Sequence, residues 1–337
     1  MAFEIHRGTN ISHWLSQSSA RGEERRRWFT REDVQCIAGM GLDHVRLPVD
    51  EEQLWDEHGR RDPEAFELLG NVLEWCAEAG LRVVVDLHIL RTHHFNDRQA
   101  PRLFTDPDEA TRFAGLWRDL SDFLRAWDVS HVAYELLNEP VARDPERWHA
   151  VASVAFSAIR EVEPGRTIVL GSNWFNSTEQ FGVLRVPDDP HCILTFHYYK
   201  PMFITHYGAS WWPGGRYGGR VRYPGRPVPE EELEGLSDED RRLVEAANAP
   251  YDRGVMASEI ALPVRVAREH GMRLYCGEFG VYHRTPREYR LAWYRDLLSV
   301  LREHDIAWAN WDYKGEGFGI VTAEGQPTDI AEVLLAV

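Results

Sequence analysis

At 337 residues the chain is longer than an ordinary domain but within the range of a single α/β barrel, and 43% hydrophobic residues are ample for a large core. A formal net charge of −16 argues against nucleic acid, which needs a basic footprint, and against anionic membranes or acidic polymers. The chain has 13 Trp, 12 Tyr and 14 Phe residues, and flat rings in such number suit stacking against a neutral substrate.

The four cysteines lie far apart in the sequence, each within an apolar run: Cys36, Cys76, Cys192 and Cys276. This placement predicts buried reduced thiols, with neither a disulfide nor a cysteine-based metal site. No basic-then-apolar leader precedes Phe3, and no apolar run approaches ~18 residues. We therefore expect a soluble protein, either cytoplasmic or lacking its leader, that has no membrane partner.

Strand-like runs alternate with helix-like runs from one end of the chain to the other. Several of the strand-like runs are almost continuously apolar, as in parallel strands that helices cover on the outside. Eight strands are predicted, at residues 3–12, 43–49, 81–89, 131–139, 167–173, 192–199, 273–280 and 306–313.

Amphipathic segments separate these strands, most clearly residues 63–80, 108–127 and 286–304. The first of them begins with Pro and ends at Gly, which are the usual start and stop residues of a helix. Eight β–α repeats in one chain predict a single-domain (β/α)₈ barrel over residues 1–337. The rival is a doubly wound open sheet, which the lack of a glycine-rich phosphate loop after the first strand disfavours.

One segment interrupts the β–α rhythm. Residues 211–252 are rich in Gly, Pro and charged side chains, and a long insertion of this kind is uncommon unless it is functional or mobile. We predict an elaborated loop after the sixth strand, and not a separate domain. Such a loop lies on the face where barrels keep their active sites.

Polar or aromatic residues end six of the predicted strands. Side chains at the C-terminal ends of barrel strands point into the mouth of the barrel. Glu139 and Glu278 end otherwise apolar strands on opposite sides of that mouth, and a buried acid is costly unless it is hydrogen-bonded or functional. Paired carboxylates are what glycosidic cleavage needs, one to protonate the leaving oxygen and one to attack or to activate water. The strand-end residues are Arg46, Asp86 and His88, Asn138 and Glu139, His197 and Tyr199, Glu278, and Trp311.

Four motifs occur in order on these strands: ELLNEP at 135–140, FHYY at 196–199, YCGEFG at 275–280 and WDYK at 311–314. Together they resemble glycoside hydrolase family 5, within the clan of retaining (β/α)₈ glycosidases. The resemblance covers nearly the whole chain, from GTNIS to GFGIV. The stretch HYYKPMFITHYGASW further resembles the bacterial endoglucanases of that family.

The resemblance implies that Glu139 is the general acid/base and that Glu278 is the nucleophile. It further implies that Asn138 bonds the sugar 2-hydroxyl, an interaction that strengthens in the transition state. Arg46 would lie beneath Glu278 and keep it ionised, because a nearby cation lowers the pKa of a carboxyl group. Tyr199 would orient the nucleophile.

Three more strand-end residues acquire roles from the resemblance. His197 would lie in the same wall as the tyrosine, His88 would line the subsite of the cleaved sugar, and Trp311 would stack under a sugar ring. Plain readings remain open: His88 as a core histidine, Trp311 as a core side chain, and Arg46 as an ordinary barrel ion pair. Tyr198 alternates with its neighbours along the strand and is expected to point into the barrel wall.

A second group of candidates lies in the loops. Lys314 and Glu316 follow the eighth strand, where the endoglucanases grip sugar hydroxyls, although a solvated charge pair explains them equally well. Two histidines, His93 and His94, lie in the loop after the third strand. They could be subsite residues, part of a metal site or surface histidines. Three tryptophans in the loops after the fifth and sixth strands are candidates for further stacking against sugar rings. The three are Trp174, Trp211 and Trp212.

A retaining endo-β-1,4-glucanase acting on soluble β-linked glucan is the leading hypothesis, and a β-mannanase is the alternative within the same family. No cofactor or metal is expected. Asp86, His88, His93 and His94 could form the metal site of a metal-dependent barrel hydrolase. Such enzymes usually have a pair of histidines on an early strand, where this chain has RGTNIS. A non-catalytic glycan-binding protein would be expected to lack one of the two carboxylates, and both are present.

Overall fold

Eight parallel strands close into a barrel in chain order, with each strand hydrogen-bonded to its sequence neighbours and β1 paired with β8. The computed structural model describes residues 2–97, 100–315 and 317–336. Each predicted strand contains one observed strand, so the barrel prediction is confirmed. The strands are β1 (Arg7–Asn10), β2 (His44–Val49), β3 (Arg82–Leu87), β4 (Val132–Glu135), β5 (Ile168–Gly171), β6 (Cys192–Tyr198), β7 (Arg273–Phe279) and β8 (Ala307–Asn310).

Helices connect the strands and surround the barrel. The longer ones are α1 (Gly22–Trp28), α2 (Arg31–Gly39), α3 (Pro63–Glu78), α4 (Pro107–Leu124), α5 (Pro145–Val162), α6 (Asp238–Ala247), α7 (Arg253–Glu269), α8 (Arg287–Glu303) and α9 (Asp329–Leu335). Single helical turns occupy Glu51–Leu54, Arg102–Thr105, Asn173–Asn176 and Met202–Thr205, and 3₁₀ turns occupy Thr178–Val183, Pro213–Arg216 and Glu230–Glu232.

Three of the outer helices begin with the same Asp-Pro pair. The side chain of Asp62 accepts a hydrogen bond from the backbone N–H of Ala65, and Asp106 and Asp144 accept from the N–H two residues later at α4 and α5. Each proline occupies the first helical position, where its missing N–H is not needed. These start signals define where the loops at the barrel mouth end.

Alternation along the strands separates two hydrophobic layers. On β3, Val83 and Val85 belong to the large cluster under the helices, whereas Val84 belongs to a smaller cluster inside the barrel. The next inward positions above Val84 are Asp86 and then His88, both fully buried. The period of two therefore carries polar side chains up the barrel axis toward the mouth.

The segment 211–252 lies between β6 and β7 and contributes to the main hydrophobic cluster. Tyr223 and Tyr251 are buried there, and the side chain of Asn248 bonds both backbone groups of Val228 at 2.7 and 2.8 Å. No helix of the described residues is long and apolar enough to cross a membrane.

Candidate active site

Two carboxylates meet at the mouth of the barrel, beside the same ring nitrogen of one histidine. The Nδ1 atom of His197 lies 2.9 Å from Oε1 of Glu139 and 3.6 Å from Oε2 of Glu278. One oxygen of each carboxylate and a histidine nitrogen all lie within 4.8 Å of one another. Carboxyl groups about 5–5.5 Å apart are typical of retaining glycosidases, and about 6.5–9.5 Å is typical of inverting ones. The close approach of one oxygen from each carboxylate favours the retaining arrangement.

Glu278 is held through both of its oxygens. The Arg46 guanidinium donates to Oε1 at 2.6 Å, and the Tyr199 hydroxyl donates to Oε2 at 3.0 Å. Both donors stabilise the ionised carboxylate, because each hydrogen bond is made to the charged form.

Arg46 is fully buried inside the barrel and is shared among several acceptors. It makes a two-pronged contact with Glu135, at 2.8 and 3.0 Å, and an ion pair with Asp86 at 3.0 Å. Another guanidinium hydrogen bond, 2.9 Å long, fixes the Oδ1 atom of Asn138. The planar guanidinium therefore sets the positions of the nucleophile candidate and of the amide expected at the sugar 2-hydroxyl.

One cation faces three buried carboxylates at this point. Burial raises the pKa of Asp86 and of Glu135 to about 7, and the charge of Arg46 opposes that rise. Burial also raises the pKa of Glu278, with Arg46 as the largest opposing influence. Burial and then the charge of Glu278 raise the pKa of Glu139 well above its ordinary value. Because Glu278 has the cation beside it, the proton of the pair belongs on Glu139.

His88 and Trp311 form one wall of the mouth. Their rings stack with centroids 5.6 Å apart and planes 9° apart, and Nδ1 of His88 lies 2.8 Å from Oδ2 of Asp86. The Trp311 ring is almost fully buried by protein neighbours that include Tyr282 and Phe318. The structure thus brings His88 and Trp311 together, and His88 is linked through Asp86 to Arg46.

The outer candidates are more scattered. Lys314 donates to both carboxylate oxygens of Asp33 at 2.9 Å, so its ammonium is engaged with α2. Glu316 lies outside the described residues. His93 is buried edge-on against Phe104, and burial lowers the pKa of its imidazole to about 3.

His94 is exposed and accepts a hydrogen bond from the backbone of Asn96 at 3.0 Å. Its neighbour in sequence is buried, so the two histidines face different surroundings. Within the described part of the chain, the only group with ligand atoms close enough to share a metal ion is Glu139, His197 and Glu278. That group contains none of the four residues of the metal-hydrolase alternative.

The loop aromatics differ in exposure. Trp174 is 40% exposed and Trp211 is 52% exposed, whereas Trp212 is partly buried against Phe203 with ring centroids 4.9 Å apart. Two rings are thus available to a ligand from loops that follow β5 and β6. Tyr198 points away from the carboxylates, as its place in the strand predicts, and its hydroxyl lies 2.6 Å from that of Tyr251.

Sequence reasoning missed three residues that the site uses. Asn10 accepts from Arg46 at 2.9 Å, Glu135 holds the same guanidinium, and Asn176 lies 3.2 Å from Nε2 of His197. A charged residue in the middle of the apolar run VAYELL was the available signal for Glu135. Asn10 lies in the predicted first strand and Asn176 in the loop after the fifth, and nothing in either stretch marks the asparagine as a partner of the site.

Comparison with known proteins supplies independent findings. A family model described as cellulase (glycosyl hydrolase family 5) matches residues 8–317. The chain is 32% identical over 325 residues to Endoglucanase C of Acetivibrio thermocellus, covering 95% of this chain and 94% of that protein. It is 28% identical to Cellodextrinase A of Ruminococcus flavefaciens, covering 90% and 84%. A structure of Thermotoga maritima Cel5A with cellobiose superposes with a TM-score of 0.79 at 23% identity, covering 99% and 97%.

Proposed function

This chain belongs to glycosyl hydrolase family 5, and we propose that it is a retaining endo-β-1,4-glucanase with Glu139 as acid/base and Glu278 as nucleophile. The observation that carries the proposal is the approach of the two carboxylates, whose oxygens come within 4.8 Å. An approach this close leaves less room for a water beside Glu278 than inverting enzymes provide, and we propose that the carboxylate itself attacks the anomeric carbon.

The first step forms a covalent glycosyl-enzyme. An oxygen of Glu278 bonds to the anomeric carbon, the bond to the leaving oxygen breaks, and Glu139 transfers its proton to that oxygen. Arg46 and Tyr199 favour this step because they hold the nucleophile ionised and oriented. Asn138, fixed by the same arginine, is placed to bond the 2-hydroxyl as the transition state develops.

The second step releases the sugar with its original configuration. Once the ester to Glu278 has formed, the negative charge beside Glu139 is gone, and the pKa of Glu139 falls toward that of an ordinary carboxyl group. The Glu139 carboxylate then takes a proton from water, which attacks the anomeric carbon and displaces Glu278. Two inversions leave the product in the β configuration.

We assign β-linked glucan as the substrate on three grounds. The relatives named above are an endoglucanase and a cellodextrinase, and the first spans almost the whole chain. A neutral polymer suits a protein of net charge −16. Exposed rings at Trp174 and Trp211 suit the flat faces of successive sugars.

Substrate contacts are proposed for the remaining predicted residues as well. His88, His197 and Trp311 would line the subsite that contains the scissile bond. Trp212, His93, His94, Lys314 and Glu316 would act farther from it, the lysine after release from Asp33.

Two measurements test the proposal. Proton NMR of the first product released from a cello-oligosaccharide should show the β anomer, and an initial α anomer would refute double displacement. Rates on carboxymethyl cellulose, mixed-linkage glucan, glucomannan and xylan should favour the glucans. A preference for mannan-rich polymer would replace the glucanase assignment with that of a β-mannanase.

A further inference from the structure

A buried asparagine reaches His197 from the side opposite the carboxylates. Nδ2 of Asn176 lies 3.2 Å from Nε2 of His197, whose other ring nitrogen faces Glu139. The asparagine side chain is fully buried, and its contact with the ring links the loop after β5 to β6.

The local backbone is built to hold this amide in place. Trp174, Phe175 and Asn176 have φ values of 50°, 63° and 51°, which is the left-handed region that side chains other than Gly and Asn rarely adopt. A Cβ atom at Gly171 would lie 2.4 Å from Oδ1 of Asn176, so only glycine leaves room for the amide. The left-handed turn at residues 174–176 and the glycine at position 171 together fix the position of the Asn176 side chain.

An amide N–H that points at one imidazole nitrogen decides which tautomer the ring adopts. Because Nδ2 is a donor, Nε2 must accept, and the ring proton of the neutral imidazole lies on Nδ1. That Nδ1–H then donates to Oε1 of Glu139. In the other tautomer the lone pair of Nδ1 would accept the proton of Glu139 in a hydrogen bond and compete with the leaving group for it.

We propose that Asn176 is a positioning residue that holds His197 in the Nδ1–H tautomer, so that the proton of Glu139 stays available on Oε2 for the leaving oxygen. The proposal rests on the proposed function, since it concerns the acid step. Burial lowers the pKa of His197 well below its ordinary value, so the ring is neutral and the choice of tautomer arises. The other titratable groups around Glu139 include Glu278, Arg46, Asp86, Glu135, Tyr199 and, next to its backbone, His93.

The test compares two buried asparagines of the same turn. Asn176→Leu removes the donor to His197 and keeps the number of side-chain heavy atoms, and the strain of a leucine at φ 51° is expected to lower activity on both substrates alike. Asn173→Leu is the control, because among the described residues the side chain of Asn173 makes its hydrogen bonds to the backbone of Ala142, at 2.9 and 2.8 Å. Each variant is assayed on cellotetraose, whose leaving group needs a proton, and on dinitrophenyl cellobioside, whose leaving group does not.

For Asn176→Leu we expect kcat on cellotetraose to fall about tenfold further than kcat on the aryl substrate. The basic limb of the pH profile should move to higher pH, because an Nδ1 lone pair stabilises protonated Glu139. The control should lower both activities by the same factor and leave the limb in place. Equal losses on both substrates in Asn176→Leu, with an unmoved limb, would overturn the proposal.

A second measurement needs neither variant nor turnover. Nitrogen-15 NMR of the His197 ring in the unaltered protein, below the basic limb, should show a protonated Nδ1 and an unprotonated Nε2. The opposite pattern would mean that the amide presents its oxygen to the ring, and it would overturn the proposal by itself. Full activity of Glu139→Ala on cellotetraose would instead refute the proposed function, so the two failures are distinguishable.

Discussion

Removal of the buried arginine should damage stability and chemistry together. Arg46 forms ion pairs with Asp86, Glu135 and Glu278 at 3.0, 2.8 and 2.6 Å, and it is fully buried. Breaking a buried ion pair by deleting one partner costs about 3–5 kcal/mol, since an uncompensated charge remains. We therefore expect Arg46→Met to lower the free energy of unfolding by about 3–5 kcal/mol at pH 7.

The same change should alter the pH dependence of catalysis. A neighbouring arginine lowers the pKa of a carboxyl group by about 1–3 units, so the pKa of Glu278 should rise by that amount when Arg46 is removed. The acidic limb of kcat/KM, which reports ionisation of the nucleophile, should then move up by about 1–3 pH units. Arg46→Lys is the matched control, because it keeps the charge but lacks the fork that spans Glu135 and Glu278.

Thermal unfolding and pH–rate profiles of both variants test whether Arg46 controls stability and the ionisation of Glu278. The lysine variant should recover much of the stability and part of the limb shift. If Arg46→Met unfolds within about 1 kcal/mol of the parent protein and its acidic limb does not move, then the cation does not control the ionisation of Glu278, and the electrostatic account of the site is wrong.

Three further results are expected. Glu139→Ala should lose activity on unactivated polysaccharide by a factor of about 10²–10⁴, while added azide should restore turnover of an activated aryl substrate; near-parental activity on polysaccharide would contradict the acid role. Replacement of the exposed Trp211 by Ala should raise KM for oligosaccharides with little change in the thermal midpoint, and a large stability loss with constant KM would identify it as a core residue. The pKa of Glu135 is raised from 4.5 to about 7 in the folded protein. The folded state therefore binds an extra proton between those values, so the free energy of unfolding should fall as pH rises from about 4.5 to about 7. Glu135→Gln should flatten that fall in denaturant titrations, and an unchanged slope would mean that Glu135 does not carry the proton.

The barrel and its two carboxylates followed from local sequence. Apolar runs of strand length, separated by segments of helical period, specify eight β–α units, and the polar residue that ends each run must lie at the mouth. Glu139, Glu278 and Arg46 were predicted on that basis, and the structure places them together. The reason is that strand period and chain order are short-range properties, which the sequence itself displays.

The partners of those residues were decided only by the folded chain. Arg46 and Glu278 are 232 positions apart, and the sequence contains no sign that Glu135 shares the same guanidinium. Lys314 could have faced the substrate or a carboxylate, and tertiary packing put Asp33 beside it. Asn176 reaches His197 through a left-handed turn that the letters NWFN do not reveal. Closing a barrel brings side chains from distant strands to one point, and which atoms then meet depends on strand stagger and on loop path, both properties of the closed structure.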